Sequence, residues 1–262
     1  MCIAKPVGRG GANNRADSKV VQALLNENLY RLKPFTPLIV DGNPGARTME
    51  MISEFQSRVF PQAAAMGHVD PASPSLRELR AGMTAGLTIG KLQAIMTTAS
   101  QADIMRYFQP LAANMATSQI NTPLRMAHFL AQVGHESGHL RYSEELASGD
   151  AYEGRADLGN TQAGDGPRFK GRGLIQLTGR ANYVAFGAAR GRDFVTGANN
   201  MLLAGDANLA VDVSCWFWTT HDLNALADAG DLKAITKKIN GGCNGLADRG
   251  ENLQRAKCLL GA

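Results

Sequence analysis

The chain lacks the features expected of a membrane-spanning or nucleic-acid-binding protein. No apolar run reaches the roughly 18 residues that a transmembrane helix needs, and the first 18 residues contain no apolar segment. We therefore expect no secretory signal peptide and no stable membrane insertion. Lysines and arginines are dispersed, the net charge is only +4, and no nucleic-acid partner is expected.

Cysteines are few and widely spaced. None of the four forms a CxxC pair, so a thiolate zinc site is not expected. Cys215 lies in an apolar run and is predicted to be a buried, reduced thiol. Cys243 and Cys258 could pair in space, but the order of cysteines in a sequence does not decide pairing.

The sequence also lacks internal repeats and any convincing run of alternating polar and apolar residues. Apolar residues instead recur at helical spacing, which predicts a mainly α fold. At 262 residues and 44% apolar content, the chain suits one large domain or two smaller ones. A Gly- and Pro-containing stretch with weak periodicity indicates a small domain at 1–70, a linker at 71–86 and a larger domain at 87–262.

Helix signals are clear in both parts. In the first, one helix is predicted to start at Asp17 or Ser18 and another near Thr48, with a turn at 40–45 between them. So small a core is more typical of a binding module than of an enzyme. In the second, the predicted features are a helix from Met126 to about His139, helices capped by Asp206 and Asp231, a last helix at 247–260, and core positions for Trp216 and Trp218.

The segment 135–139 reads His-Glu-Ser-Gly-His, and two chemistries fit it. His135 and His139 match the HExxH zinc signature if both lie on one face of a helix. No third ligand in a fitting context is evident, since His221 lies in no ligand motif. Gly138 would also weaken that helix by about 1 kcal/mol relative to Ala.

The second chemistry uses carboxylates. Glu145 follows Glu136 by nine residues, and glycoside hydrolysis needs one protonated acid and one ionised base or nucleophile. Glu136 ends an apolar helix and suits the acid, whereas Glu145 lies in a polar stretch and suits the base. A helix-end charge and a solvated surface pair would explain the same residues, so this pattern alone leaves the choice open.

Four separated segments resemble those of a known enzyme family. In chain order they are 131–138 (AQVGHESG), 141–145 with 151–155 (RYSEE, AYEGR), 169–183 (FKGRGLIQLTGRANY), and 239–242 with 247–249 (INGG, ADR). The third is long and specific. Together they resemble the glycoside hydrolase family 19 chitinases and the phage endolysins built on the same fold. The resemblance implies a lysozyme-like, mainly α-helical catalytic domain with a cleft between two lobes.

The resemblance also implies roles for individual residues. Glu136 would be the general acid, Glu145 the general base, and Thr178 would help to hold the attacking water. The positions implied to bind substrate are Gln176, Asn182, Tyr183, Asn240 and Arg249, the last of these near the carboxylates. The implied mechanism is inverting, with carboxyl groups about 6.5–9.5 Å apart, and it needs no metal or cofactor.

Three positions qualify the match. His139 stands where many family members have glycine, and Asn244 stands where plant chitinases have glutamate. Glu144 is an alternative to Glu145 as the base, although the register favours Glu145.

The N-terminal segment resembles the peptidoglycan-binding domains of cell-wall hydrolases. The resemblance lies in 21–25 (VQALL), 40–48 (VDGNPGART) and 55–56 (FQ). Asp41 and Thr48 would close the turn and cap the second helix, with a ligand groove nearby.

These observations predict a modular, monomeric endolysin that binds bacterial peptidoglycan and cuts its β-1,4 glycosidic bond, leading to host cell lysis. It would stay in the host bacterial cytoplasm until a separate pore protein releases it to the periplasmic cell wall. A chitinase on the same fold, a zinc-dependent peptidoglycan peptidase and a non-enzymatic wall-binding protein are the alternatives.

Overall fold

A computed structural model describes residues 2–262, and helices dominate it, which confirms the mainly α prediction. The helices are α1 Arg15–Glu27, α2 Ala46–Val59, α3 Pro74–Ala81, α4 Ile89–Ile95, α5 Gln101–Thr117, α6 Pro123–Glu136, α7 Asp165–Arg168, α8 Arg180–Arg190, α9 Leu202–Gly205, α10 Ala207–Thr220, α11 Leu223–Asp228, α12 Leu232–Asn240 and α13 Leu246–Leu260. Strands β1 Val7–Gly8 and β2 His68–Val69 pair antiparallel, with Val7 opposite Val69. No helix within residues 2–262 is long and apolar enough to cross a membrane.

The chain forms two compact units. One comprises the chain up to Thr97 together with Gly250–Ala262, and the other is Thr98–Arg249. The segment predicted as a linker, 71–86, contains α3, which begins where the Ser73 hydroxyl accepts a hydrogen bond from the Leu76 amide. The functions assigned to the predicted segments stay predictions.

The first unit differs from the sequence-based expectation at its helix starts. Asp17 lies in the first turn of α1 and accepts hydrogen bonds from the amides of Ala4 and Lys5, both at 3.0 Å. Thr48 is buried inside α2, which begins two residues earlier. Asp41 closes its turn as predicted, since its carboxylate accepts from the Asn43 amide at 2.8 Å.

Cysteine pairing also differs from the possibility raised above. Cys258 is joined to Cys2, with 5.1 Å between their Cα atoms, and Cys243 is an exposed free thiol. Cys215 is buried and unpaired, which confirms that prediction.

The second unit confirms both predicted aspartate caps. The Asp206 carboxylate accepts from the amides of Asn208 and Leu209 at the start of α10, and Asp231 accepts from Ala234 at the start of α12. The tryptophans of α10 pack inward as predicted: Trp218 is fully buried edge-on against Phe129, and Trp216 contacts Phe186 at 5.4 Å between ring centroids.

Helix α6 carries the first candidate carboxylate. Thr122 caps its start, Pro123 occupies its first turn, and its buried face includes Phe129, Leu130 and Val133. The helix ends at Glu136, about three residues before the predicted end. Gly138, His139 and Leu140 follow with φ of 56°, 60° and 72°, and a run of left-handed residues cannot continue a right-handed helix.

Candidate active site

An open cleft of about 610 Å³ lies in the second unit. Its lining residues are Glu136, Tyr142, Glu144, Glu145, Leu146, Ala147, Tyr152, Ile175, Gln176, Thr178, Ile239 and Asn240. Both predicted catalytic carboxylates therefore reach one cavity, although α6 supplies the first and the irregular segment after it supplies the second.

Glu136 is held by a buried arginine. The Nη2 group of Arg249, a residue with no exposed side-chain surface, donates to Glu136 Oε1 at 2.5 Å. Arg249 also donates from Nη1 to Gln132 Oε1 and from Nε to the Asn244 carbonyl. The side chain of Glu136 keeps 15% of its surface exposed, and this part faces the cleft.

Glu145 is held by neutral donors. Tyr152 donates from its hydroxyl to Glu145 Oε1 at 2.9 Å, and the Gly171 amide donates to Oε2 at 3.1 Å. Burial, and then the bond to Glu145, raise the pKa of Tyr152, so that this phenol remains a donor at neutral pH. Each carboxylate oxygen keeps a further lone pair, which leaves Glu145 able to accept a proton from water.

The neighbouring Glu144 has a different environment. Arg172 donates to its Oε1 from Nε and Nη2 at 3.1 and 2.8 Å, and the Lys170 ammonium lies 3.6 Å away. Glu144 is thus engaged in an ion pair with two cations, whereas Glu145 contacts neutral donors. The geometry therefore favours Glu145, in agreement with the register of the sequence motif.

Gly171 packs closely against two residues of the cleft, Gln176 and Glu145. A Cβ atom on this residue would lie 2.8 Å from Gln176 Oε1 and 3.3 Å from Glu145 Oε2, so only glycine leaves both groups undisturbed. Gln176 itself has a left-handed backbone with φ of 61°. Its Oε1 accepts no hydrogen bond within residues 2–262, and such strain and such an unused acceptor both occur often at ligand sites.

The structure brings together some of the predicted site residues. Thr178, Gln176 and Asn240 line the cleft with the two carboxylates. The Thr178 hydroxyl donates to the Gln176 carbonyl at 3.0 Å, and its oxygen lone pairs remain able to accept from a water molecule.

Three residues expected to touch substrate do not line the cleft. Tyr183 is fully buried against Phe169, and its hydroxyl donates to the Lys170 carbonyl at 2.8 Å. Burial raises the pKa of Tyr183 to about 12. Arg249 lies behind Glu136 with no exposed surface. Tyr183 and Arg249 thus contact other protein groups in this structure, and the substrate contacts expected of them stay predictions.

Asn182 is the third such residue. It lies on α8, and its amide nitrogen donates to the Thr178 carbonyl at 2.7 Å. This bond orients the segment that carries Thr178, because it ties the backbone there to the first turn of α8. In this structure Asn182 supports the cleft rather than lining it.

The backbone does not support the zinc interpretation of 135–139. His135 lies in the last turn of α6, where its Nδ1 is 2.7 Å from Asp248 Oδ2, whereas His139 follows the end of the helix in a left-handed conformation. The two imidazoles therefore do not share one helical face. Among residues 2–262 no group of three or more His, Cys, Asp or Glu side chains is placed to hold a metal ion.

Sequence reasoning placed Arg249 near the carboxylates but missed the partners of Glu144 and Glu145. Tyr152 and Gly171 lie inside segments that carried the resemblance, but neither has a periodicity or a charge that marks it. More than 20 residues, which include the short helix α7, separate Arg172 and Lys170 from Glu144. Only the folded loops show these contacts.

Comparison with known proteins identifies the family of the second unit. The pattern of the family described as chitinase class I, glycoside hydrolase family 19, matches residues 90–245. A glycosyl hydrolase family 19 domain-containing protein of Haemophilus influenzae is 31% identical over 173 residues, which are 54% of this chain and 83% of that protein. An endochitinase of Arabidopsis thaliana is 36% identical over 121 residues, 46% of this chain and 40% of its own length.

Solved structures share the fold. Chitinase C from Streptomyces griseus superposes with a TM-score of 0.55 at 23% identity, over 67% of this chain and 92% of that one. This chain thus spans most of the bacterial proteins but less than half of the plant enzyme. Because the family pattern covers more than half of the chain, the protein belongs to glycoside hydrolase family 19.

Proposed function

We propose that this glycosidase hydrolyses the β-1,4 bond of bacterial peptidoglycan by an inverting mechanism, with Glu136 as acid and Glu145 as base. The observation that carries the proposal is that the two carboxylates line one cleft in different environments. Glu136 contacts a buried cation, and Glu145 contacts neutral donors. Two carboxylates in unlike environments are the arrangement that acid–base cleavage of a glycoside requires.

Each carboxylate has a defined task. Protonated Glu136 donates its proton to the departing glycosidic oxygen, and the Arg249 guanidinium stabilises the carboxylate that remains. Glu145 accepts a proton from a water molecule as that water attacks the anomeric carbon. The Thr178 hydroxyl lies in the same cleft and would help to orient the water.

Gln176 supplies a polar contact suited to an N-acetylated sugar. Its unused Oε1 is an acceptor, and the acetamido N–H of such a sugar is a donor. Because Oε1 is already unpaired in the free protein, a sugar N–H that pairs with it would gain about 0.5–1.5 kcal/mol on binding. N-acetylated sugars occur in peptidoglycan and in chitin, so this contact selects the sugar class rather than the polymer.

The N-terminal segment favours peptidoglycan over chitin. The segment 40–48 resembles peptidoglycan-binding domains, and its turn is closed by Asp41 as such a motif would require. A tethered wall-binding unit would raise the local concentration of glycan at the cleft even if its own affinity were weak. Binding by a monomer, release through a separate pore protein and action on the periplasmic cell wall during host lysis belong to the same proposal.

Chitin is the second candidate, because the Arabidopsis thaliana relative named above is an endochitinase. Both substrates would use the same two carboxylates. The discriminating experiment incubates the protein in parallel with purified peptidoglycan and with the chitin hexasaccharide, each with and without EDTA. Mass spectrometry identifies the new ends, and NMR records the anomer that forms first.

The proposal predicts new reducing saccharide ends from peptidoglycan in the inverted configuration. Cleavage of the hexasaccharide alone would transfer the assignment to chitin, and chelator-sensitive release of free amino groups would support the peptidase alternative. Glu136→Gln should lower kcat at least a hundredfold while the protein stays folded. Glu251→Gln, at an exposed glutamate, is the matched control and should leave kcat unchanged.

A further inference from the structure

The cation that pairs with Glu136 is itself held by a buried amide. Arg249 and Gln132 both have no exposed surface, and the Arg249 Nη1 group donates to Gln132 Oε1. On its other side, Gln132 Nε2 donates to Thr236 Oγ1 at 3.3 Å, and that hydroxyl donates to the Leu232 carbonyl at 2.8 Å. A chain of side chains thus runs from α12 through α6 to α13 and ends at Glu136.

The direction of this chain is fixed. The Thr236 hydroxyl hydrogen is used on the Leu232 carbonyl, so its oxygen accepts from Gln132 Nε2. The amide oxygen of Gln132 must then face Arg249, whose guanidinium offers only donors. The reverse orientation of the amide would place its NH₂ group against a buried cation.

We infer that Gln132 is a positioning residue for the acid, through Arg249. A neutral acceptor holds the guanidinium in place without neutralising it, so Glu136 is the carboxylate bound to this buried cation. The charge of Arg249 can then act fully on the carboxylate that forms when Glu136 gives up its proton. A carboxylate at position 132 would compete with Glu136 for the positive charge of Arg249.

The other ionisable groups near Glu136 are separate from this chain. His135 faces Asp248 across the ends of α6 and α13, while Tyr142, Glu144, Glu145 and Tyr152 line the cleft. A substitution at Gln132 leaves all of them in place. A change in the pH dependence of such a variant can therefore be traced to the Arg249–Glu136 pair.

The inference rests on Glu136 as the acid, and two variants test it. Gln132→Glu keeps the size of the side chain but adds a charge, and Gln132→Met removes the acceptor. Kinetics are measured from pH 4 to 9 on whichever is cut faster, dye-labelled purified peptidoglycan or the chitin hexasaccharide. Asn200→Asp, which also replaces a buried amide by a carboxylate in the same unit, is the matched control.

Gln132→Met should lower kcat between about tenfold and a hundredfold, with KM unchanged within about twofold, because a mispositioned acid impairs the reacting state. Gln132→Glu should move the alkaline limb of the kcat profile to higher pH, because the shared cation binds the ionised acid less well. Asn200→Asp should change neither kcat nor the position of the alkaline limb.

The outcomes separate the two proposals. Full activity of Glu136→Gln would refute the assignment of Glu136 as the acid. An inactive Glu136→Gln together with Gln132 variants that keep wild-type kcat and pH profile would overturn the positioning role alone. Should Gln132→Met fail to fold, Thr236→Val tests the same chain, because it removes the acceptor that orients Gln132. A wild-type kcat in Thr236→Val would then contradict the inference.

Discussion

Gly171→Ala places one methyl group against both a substrate-binding candidate and the candidate base. The new Cβ would lie 2.8 Å from Gln176 Oε1, 3.2 Å from Gln176 Cβ and 3.3 Å from Glu145 Oε2. Gly171 also makes two hydrogen bonds to Glu145. Its amide donates to the side-chain Oε2, and its carbonyl accepts from the Glu145 amide at 2.9 Å. The substitution therefore perturbs the site without removing any functional group.

The expected size of the effect follows from these distances. An ordinary carbon–oxygen contact begins near 3.4 Å, so the Gln176 amide must retreat by about 0.6 Å and the Glu145 carboxylate by about 0.1 Å. Displacement by about 1 Å can lower a rate a hundredfold, so we expect kcat to fall about tenfold. Overpacking should destabilise the protein by about 1 kcal/mol, which corresponds to about 2–4 °C in Tm.

The assay compares kcat and Tm of Gly171→Ala with those of Gly205→Ala. A Cβ at Gly205 meets no atom within 4 Å, so this control should keep full activity. A Gly171→Ala protein with unchanged kcat would refute the argument that Glu145 and Gln176 must sit where the structure places them. A loss of activity explained fully by unfolding would refute it as well.

Two further predictions concern the support of the base. Tyr152→Phe removes the hydroxyl that donates to Glu145 and should lower kcat about tenfold with KM nearly unchanged, as steady-state kinetics would show. Asp165→Asn should destabilise the protein by about 2 kcal/mol at pH 7 in urea unfolding, because the Arg180 hydrogen bond holds the pKa of the Asp165 carboxyl below its usual range. A lowered pKa stabilises the fold fully above the unfolded value near 4 and loses its effect as the pH falls through the folded value, so the difference should shrink below about pH 4. A difference that is constant from pH 7 to pH 2.5 would contradict this account.

The sequence predicts the helical scaffold well where a local signal exists. Asp206 and Asp231 cap their helices because an aspartate before an apolar helical pattern satisfies free amides within three residues. The end of α6 is less well predicted, although Gly138 is a local stop signal: its φ is 56°, and the His139 amide donates to the Gly134 carbonyl at 2.7 Å, as in a glycine-terminated helix. The glycine predicts the stop, but nothing in the local pattern predicts the left-handed backbone of His139 and Leu140 that follows it.

The predicted site residues fall into two groups: some have side chains that line the cleft, and others lie one layer behind it. Tyr183 and Arg249 belong to segments that carry the family resemblance, yet both are fully buried and bind other protein groups. A motif match identifies residues needed near a site but does not say whether they face substrate or core. Burial separates the two cases, and burial is a property of the tertiary fold.

The two carboxylates are supported by different parts of the unit, and this has a consequence for mutations far from the cleft. Glu136 depends on three regular helices joined by a buried polar chain. Glu145 depends on an irregular segment that Asp165 and Arg180 hold to the start of α8. Substitutions in that segment should impair the base-dependent, acidic limb of the pH profile, whereas substitutions in the helical chain should impair the alkaline limb. The helices that position Glu136, the proposed acid, do not include the segment that carries Glu145, the proposed base, so substitutions in that segment should leave Glu136 in place.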